Sequence, residues 1–314
     1  MTNKKFRSLK LQNNVSAILM MMVHSVSMSV LYVVVKNLTQ YMHPDQIGFL
    51  YKFTILIIVT ISCLDKDFKN HLKTKKIKLH ICRGVFSILG SLSMFRALSH
   101  IGAADAAALS KLEHSIMVLI GVFVFKEQLS KSKIILLVGS IIGAAFIFDF
   151  RAVQCKLDLG HAYVLLALVF WLINNIVVKK LGRTERSRAQ LFYSSLIASV
   201  ISFFFAFPSW QAINLHHFYL VVVAALASMI HKLTFFKAYK LTDISVASPF
   251  DYMRLVITAS LAYIFLGEKP SDTSLIGYAL ITAVGIYFLL SEGRKQGFRK
   301  KVNQPSESLQ QPCE

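Results

Sequence analysis

Two short stretches of an otherwise apolar chain carry side chains able to hold a charged ligand. The first contains Lys111, Glu113 and His114, with Asp105 and Ser110 upstream; the second contains Asp251, Tyr252 and Arg254, just after Pro249. Together they offer cations for a carboxylate, carboxylates for an ammonium and hydroxyls for orientation. Such a set suits a zwitterion, for example an amino acid or an aminocarboxypropyl group. Helical spacing places Lys111 and His114 on one face, and likewise Asp251 and Arg254. Pro249 lacks a backbone donor and is expected to kink its helix, freeing carbonyls that line a polar cavity. Lys111, Glu113, His114, Asp251, Tyr252 and Arg254 are therefore the expected substrate-binding residues. The competing reading is a buried ion pair, Glu113 with Arg254 or Asp251 with Arg254, that merely offsets its own burial cost.

The surroundings give these charges their meaning. Of 314 residues, 55% are hydrophobic and 16% charged, against roughly 25% charged in an ordinary soluble domain. The apolar residues fall in blocks near the roughly 20 residues needed to cross a bilayer. Ten helical spans are expected: Val15–Lys36, Ile47–Leu64, His80–Leu98, Ala103–Phe125, Ile134–Phe150, Gly160–Lys180, Ala189–Phe207, His216–Phe236, Ile244–Leu266 and Ser274–Ser291. The chain reads as an all-α membrane protein with the lipid bilayer as its solvent. A charge near the bilayer centre costs at least ~2.5–3.5 kcal/mol on insertion scales, so each one is by default a functional hypothesis. Other charges in the spans carry less: Lys36 and Arg83 lie near boundaries and can snorkel, while Arg96, Lys232 and Lys52 are secondary cavity candidates. His24, alone on an apolar span, reads as a packed side chain. Tyr32, Trp171, Tyr252 and Tyr263 are candidates for stacking a ring.

The formal charge of +19 would suggest nucleic acid in a soluble chain. Here the basic residues lie mostly in short connectors and tails, so no nucleic-acid partner is expected. With the N-terminus inside, 25 of the 35 Lys and Arg fall on cytoplasmic segments, and only Arg151, Lys156 and Lys269 on the other side. This asymmetry places both ends in the cytoplasm. Four cysteines (Cys63, Cys82, Cys155 and Cys313) form no CxxC pair and read as incidental. The sequence has no HExxH, GxSxG or phosphate-binding loop, so an intramembrane enzyme is disfavoured and neither cofactor nor metal is expected.

Comparing the chain with itself reveals a repeat. Shifted by 141 residues, Phe95-Arg96-Ala97 falls on Phe236-Lys237-Ala238 and Glu127 on Glu268. Val34-Val35-Lys36 falls on Val177-Val178-Lys179 at a shift of 143. Five spans per half is an odd number, so the second half must enter the membrane from the opposite side. Inverted repeats of this kind hold a substrate near the midplane between the halves. Glu113 and Arg254 are equivalent under the 141-residue shift, so the symmetry axis is expected to bring them together. The expected organisation is a cytoplasmic N-tail (1–14), a first repeat (15–150), an external connector (151–159), a second repeat (160–291) and a basic cytoplasmic tail (292–314) without regular structure.

The five-plus-five plan, Arg83-Gly84 opening span 3, the Phe125-Lys126-Glu127 and Leu266-Gly267-Glu268 span ends, and the Ala- and Ser-rich entries to spans 4 and 9 resemble the drug/metabolite transporter superfamily, in its EamA-type group. His80 to Gly84, Leu191 to Ser195 and Ala247 to Tyr263 look most like S-adenosylmethionine uptake transporters of obligate intracellular bacteria. The sequence departs from that subgroup at His114, where a proline is common, and in the charge order of Asp251, Tyr252 and Arg254. The resemblance implies a secondary transporter of a small-molecule substrate in a bacterial inner membrane, working by alternating access. Its specific implication is S-adenosylmethionine uptake, with export of amino acids or related metabolites as the alternative. A counter-substrate or a proton is the expected energetic partner; oligomeric state is not legible.

Overall fold

The computed structural model describes residues 2–62, 74, 76–113, 115–116, 119, 130–147, 159–182, 185, 187–241 and 248–302. Among these, all regular structure is helical: α1 (Thr2–Leu38), α2 (Pro44–Ser62), α3 (Ile77–His100), α4 (Ala103–Ser110), α5 (Lys131–Ile147), α6 (Leu159–Gly182), α7 (Ser187–Ala206), α8 (Leu215–Leu241), α9 (Met253–Leu266) and α10 (Asp272–Val302). Short 3-10 turns follow α7 (Phe207–Ser209) and precede α9 (Ser248–Tyr252).

Seven of these helices, α1–α3, α6–α8 and α10, contain stretches long and apolar enough to cross a membrane. Where Ala103–Phe125 was expected as one span, α4 ends at Ser110 with Lys111 in a turn, and the described residues 112–113, 115–116 and 119 are helical again. The expected Ile244–Leu266 is a 3-10 turn followed by α9, with residues 242–247 outside the described set. α5 covers most of Ile134–Phe150; residues 148–150 again lie outside it. One expectation is overturned. The basic segment beyond Ser291 continues α10 to Val302 rather than lacking structure, at least that far. Its Lys, Arg and Gln are good helix formers, and extending an existing helix avoids the nucleation cost.

Phe204, Phe265, Ile264, Val256 and Ile141 are 64–70% exposed on the outer faces of α7, α9 and α5. In water such a belt would be costly; in lipid it is the ordinary surface. Inside, α4 presents Ala103, Ala104, Ala106, Ala107 and Ala108, all buried, which lets neighbouring backbones close in without a large hydrophobic driving force. The nearest backbone approach joins α5 to α10. A Cβ on Gly277 would lie 2.6 Å from the Gly143 carbonyl, and one on Gly143 would lie 3.1 Å from the Gly277 carbonyl. Backbone cannot move aside as a side-chain tip can. Gly277→Val is therefore expected to destabilise by about 3 kcal/mol, the upper part of the overpacking range, read as a lowered unfolding midpoint of the purified protein in detergent.

Side-chain contacts fix the helix directions. At one end of the bundle, Arg96 near the end of α3 pairs with Asp45 at the start of α2, and Gln46 donates to the Gln211 carbonyl, just before α8. At that same end, Lys36 near the end of α1 donates to the Ile101 carbonyl, and Glu268, after α9, accepts from the Ala103 N–H at the start of α4. Gly160, at the start of α6, packs on His100 and Ile101. α1 thus ends where α6 begins, and α3 ends where α8 begins. The packing is also symmetric: α1 packs on α8 as α3 packs on α6, and α2–α7, α4–α9 and α5–α10 pair off between the halves. Exchanging the halves maps this pattern onto itself.

Candidate substrate-binding site

The site forms where two helices break. α4 ends with Lys111 in a turn whose N–H reaches back to the Ala108 and Leu109 carbonyls. In the other half, the 3-10 turn gives way to α9 at Tyr252. Lys111 and Tyr252 are equivalent under the 141-residue shift, so the turn after α4 and the end of the 3-10 turn fall at the same position of the repeat. Non-helical backbone at membrane depth is tolerated where it is buried in protein or lines a cavity. α1 supplies part of the compensation: Ser25 donates to the Phe250 carbonyl (3.3 Å) and Ser29 to the Arg254 carbonyl (3.2 Å).

Across this junction the Lys111 ammonium pairs with the Asp251 carboxylate and donates to the Asp251 backbone carbonyl at 3.1 Å. It also stands 4.9 Å above the Tyr252 ring. The other Asp251 oxygen lies 3.2 Å from His24 Nε2. His24 Nδ1 in turn sits 3.0 Å from both His231 Nδ1 and the His231 carbonyl. The ring of Tyr252 is seated against Gly285, where any side chain would collide with it. Lys111, Asp251 and Tyr252 are thus already engaged with one another.

Arg254 and Glu113 differ. The Arg254 guanidinium donates to Ser110 Oγ at 2.7 Å and lies 5.8 Å from the Tyr32 ring. Arg254 is only 8% exposed, yet its Nε has no hydrogen-bond partner. A buried guanidinium N–H left unpaired is costly, and its natural complement is a carboxylate. Glu113 accepts a hydrogen bond from the Asn175 amide of α6 at 2.6 Å and, among the described residues, forms no ion pair within 4.0 Å. The symmetry-related pair Glu113–Arg254 therefore does not close on itself, nor do Asp251 and Arg254 pair. Asp251 takes Lys111 from the opposite half instead. His114 lies outside the described residues. Pro249 falls within the 3-10 turn, where a break rather than a kinked α-helix is observed.

Several participants carry weaker sequence signals. Asn175 belongs to an adjacent amide pair, Asn174-Asn175, inside the apolar α6, which is itself a usable signal. The α1 serines and His231 become relevant only once the broken helix is seen. Of the stacking candidates, Tyr32 and Tyr252 face the site, each 2% exposed. Tyr263 is 55% exposed on the outer surface of α9, and Trp171 packs on Gly90. Arg96 is committed to Asp45, with contacts of 2.9 and 2.7 Å. Lys36 lies 3.7 Å from Glu268. Gly267 closes α9 in the left-handed region (φ 67°), a geometry glycine adopts without strain, and so turns Glu268 onto the start of α4.

Comparison with known proteins agrees with this architecture. A family model described as the EamA-like transporter family matches twice, over residues 15–149 and 158–291. A protein named S-adenosylmethionine uptake transporter from Rickettsia bellii is 25% identical, covering 88% of this chain and 94% of that protein. A protein named riboflavin transporter from Vibrio cholerae is 21% identical over 86% of this chain and 92% of its own. A crystal structure shares the fold with a TM-score of 0.62 at 19% identity, covering 90% of this chain and 99% of its own. The matched family model spans both halves, and seven helices are long and apolar enough to cross a membrane: the chain is a multi-pass membrane protein of the EamA-like transporter family.

Proposed function

We propose that this chain is a secondary transporter that moves a small zwitterionic metabolite by alternating access, and that its cargo is S-adenosylmethionine, taken up across a bacterial inner membrane. In this reading ten spans form two inverted five-helix repeats with both termini cytoplasmic, and the repeats rock about the junction of α4 and α9. The observation that carries the proposal is the division of labour at that junction. Lys111 and Asp251 neutralise each other across the halves. Arg254 keeps an unpaired buried N–H, and Glu113 keeps a carboxylate without a cation. A carboxylate placed at Arg254 and an ammonium placed at Glu113 complete both groups at once, and an aminocarboxypropyl chain carries both. Similarity to proteins named for S-adenosylmethionine uptake supports the specific cargo.

The test is uptake of labelled S-adenosylmethionine into cells expressing the chain, with unlabelled amino acids and riboflavin as competitors. Saturable accumulation that amino acids and riboflavin fail to block is the expected result. No accumulation despite verified membrane expression, or full competition by a simple amino acid, would favour the second reading, an exporter of amino acids or related metabolites. One observation favours that alternative: Tyr263, a candidate platform for a base, faces outward from α9.

A further inference from the structure

A second polar cluster lies apart from the junction, among α2, α3 and α8. Two hydrogen bonds tie these helices together. Lys52 of α2 donates to Ser87 of α3 at 3.2 Å, and Tyr51 of α2 bonds Ser228 of α8 at 2.5 Å. Arg83 lies four residues before Ser87 and Lys232 four residues after Ser228, so each shares a helix face with the residue that makes the bond. α3 ends at the same end of the bundle where α8 begins, as the Arg96–Asp45 and Gln46–Gln211 contacts establish. The two helices are antiparallel, and one turn back along α3 and one turn forward along α8 lead to the same level. Arg83 and Lys232 therefore lie one turn from the two bonds, away from the Asp45 end, on the side of the cluster that the Lys52 ammonium borders. Lys52 lies within electrostatic reach of both Lys232 and Arg83, and Lys232 within reach of Arg83.

Among the described residues no carboxylate pairs with any of the three. Lys52, 3% exposed, has a hydroxyl and the adjacent Tyr51 ring at 5.1 Å. Arg83 donates to the neutral amide of Gln190 at 2.5 Å. Lys232 has neither an ion pair nor a hydrogen bond among the described residues. Among the described residues, then, none of the three has an ion pair. Three mutually repelling charges in a low-dielectric interior disfavour the fold unless an anion completes them.

We propose that Lys52, Arg83 and Lys232 form a second binding site, for a multiply charged oxyanion, a phosphate ester or a dicarboxylate, carried by a counter-substrate or by the cargo itself. The proposal deepens the transporter reading and rests on it for its role, but the site is testable without transport. The full-length chain in detergent is unfolded by heat while intrinsic fluorescence is followed, with inorganic phosphate or malonate added and sodium chloride at matched ionic strength as reference. Phosphate, malonate or both are expected to raise the midpoint beyond chloride, and the stronger of the two assigns the anion class. In Lys52→Gln and Lys232→Gln the half-saturating concentration is expected to rise at least tenfold. Without added anion, the midpoints of both variants should equal or exceed that of the unaltered chain, because a repulsion has been removed. An anion response no greater than that of chloride would overturn the proposal. So would variants that keep the full response, or variants that lose stability in its absence. A counter-substrate is distinguished from cargo in vesicles: anion loaded inside accelerates labelled uptake if it is exchanged, and anion added outside inhibits uptake if it shares the cargo's route. Loss of S-adenosylmethionine uptake with an intact anion response would sink only the cargo assignment.

Discussion

Lys111→Ala is expected to cost about 3–5 kcal/mol of stability, because it strands the Asp251 carboxylate inside the bundle. Asp251→Ala is expected to cost a similar amount by stranding Lys111, whose ammonium is 1% exposed. Removing both should recover most of the loss. Neither charge is then left unpaired, and a buried ion pair contributes little net stability once both desolvation costs are counted. The coupling between the two sites, from a double-mutant cycle of unfolding in detergent, should therefore be about 5 kcal/mol or more. His24, at 3.2 Å from Asp251, keeps the recovery incomplete, since the Asp251 substitution also removes its neighbour. Additive losses would mean that the halves are not joined through this pair.

Arg254→Gln and Glu113→Gln should behave in the opposite way. Neither residue has an ion pair to lose, so unfolding midpoints should move by less than the equivalent of about 1 kcal/mol. Uptake should suffer instead. Removing a buried charge that grips a ligand group typically costs 2–5 kcal/mol. Arg254→Gln is therefore expected to raise the apparent KM for the cargo roughly 100-fold, a loss of about 3 kcal/mol. Glu113→Gln should have a smaller effect, about tenfold, because Glu113 is less enclosed than Arg254 and solvent screens its charge. If either variant unfolded as readily as Lys111→Ala while sparing KM, its role would be structural.

The contrast between these pairs marks what the sequence made legible. Charge within the apolar blocks 103–125 and 244–266 stands out because lipid disfavours it, and the 141-residue shift makes Glu113 and Arg254 equivalent in the repeat. Their equivalence was readable; their partners were not. Face assignment by helical spacing assumes an unbroken helix, and α4 breaks at Lys111 itself. Lys111 pairs with Asp251, and Arg254 donates to Ser110. Asn175 and His231 contribute from helices whose rotation no single-chain pattern fixes. The fold was more accessible, since hydropathy and basic connectors report on the bilayer directly. The continuation of α10 to Val302 escaped for the reverse reason: beyond the apolar stretch, polarity marks the end of lipid rather than the end of helix.

We propose that a water-filled pocket between the halves, bounded by Glu113 and Arg254, holds the cargo. Asn175, exposed and bonded to Glu113 at 2.6 Å, then stands at its rim. Asn175→Cys, in a chain whose four native cysteines are replaced by serine, puts a thiol at that rim. A membrane-impermeant, water-soluble maleimide should label it, and saturating S-adenosylmethionine should slow the labelling at least tenfold. A thiol that never reacts would place position 175 against lipid. Labelling at the same rate with and without cargo, in a chain that still transports, would show that the substrate is held somewhere else.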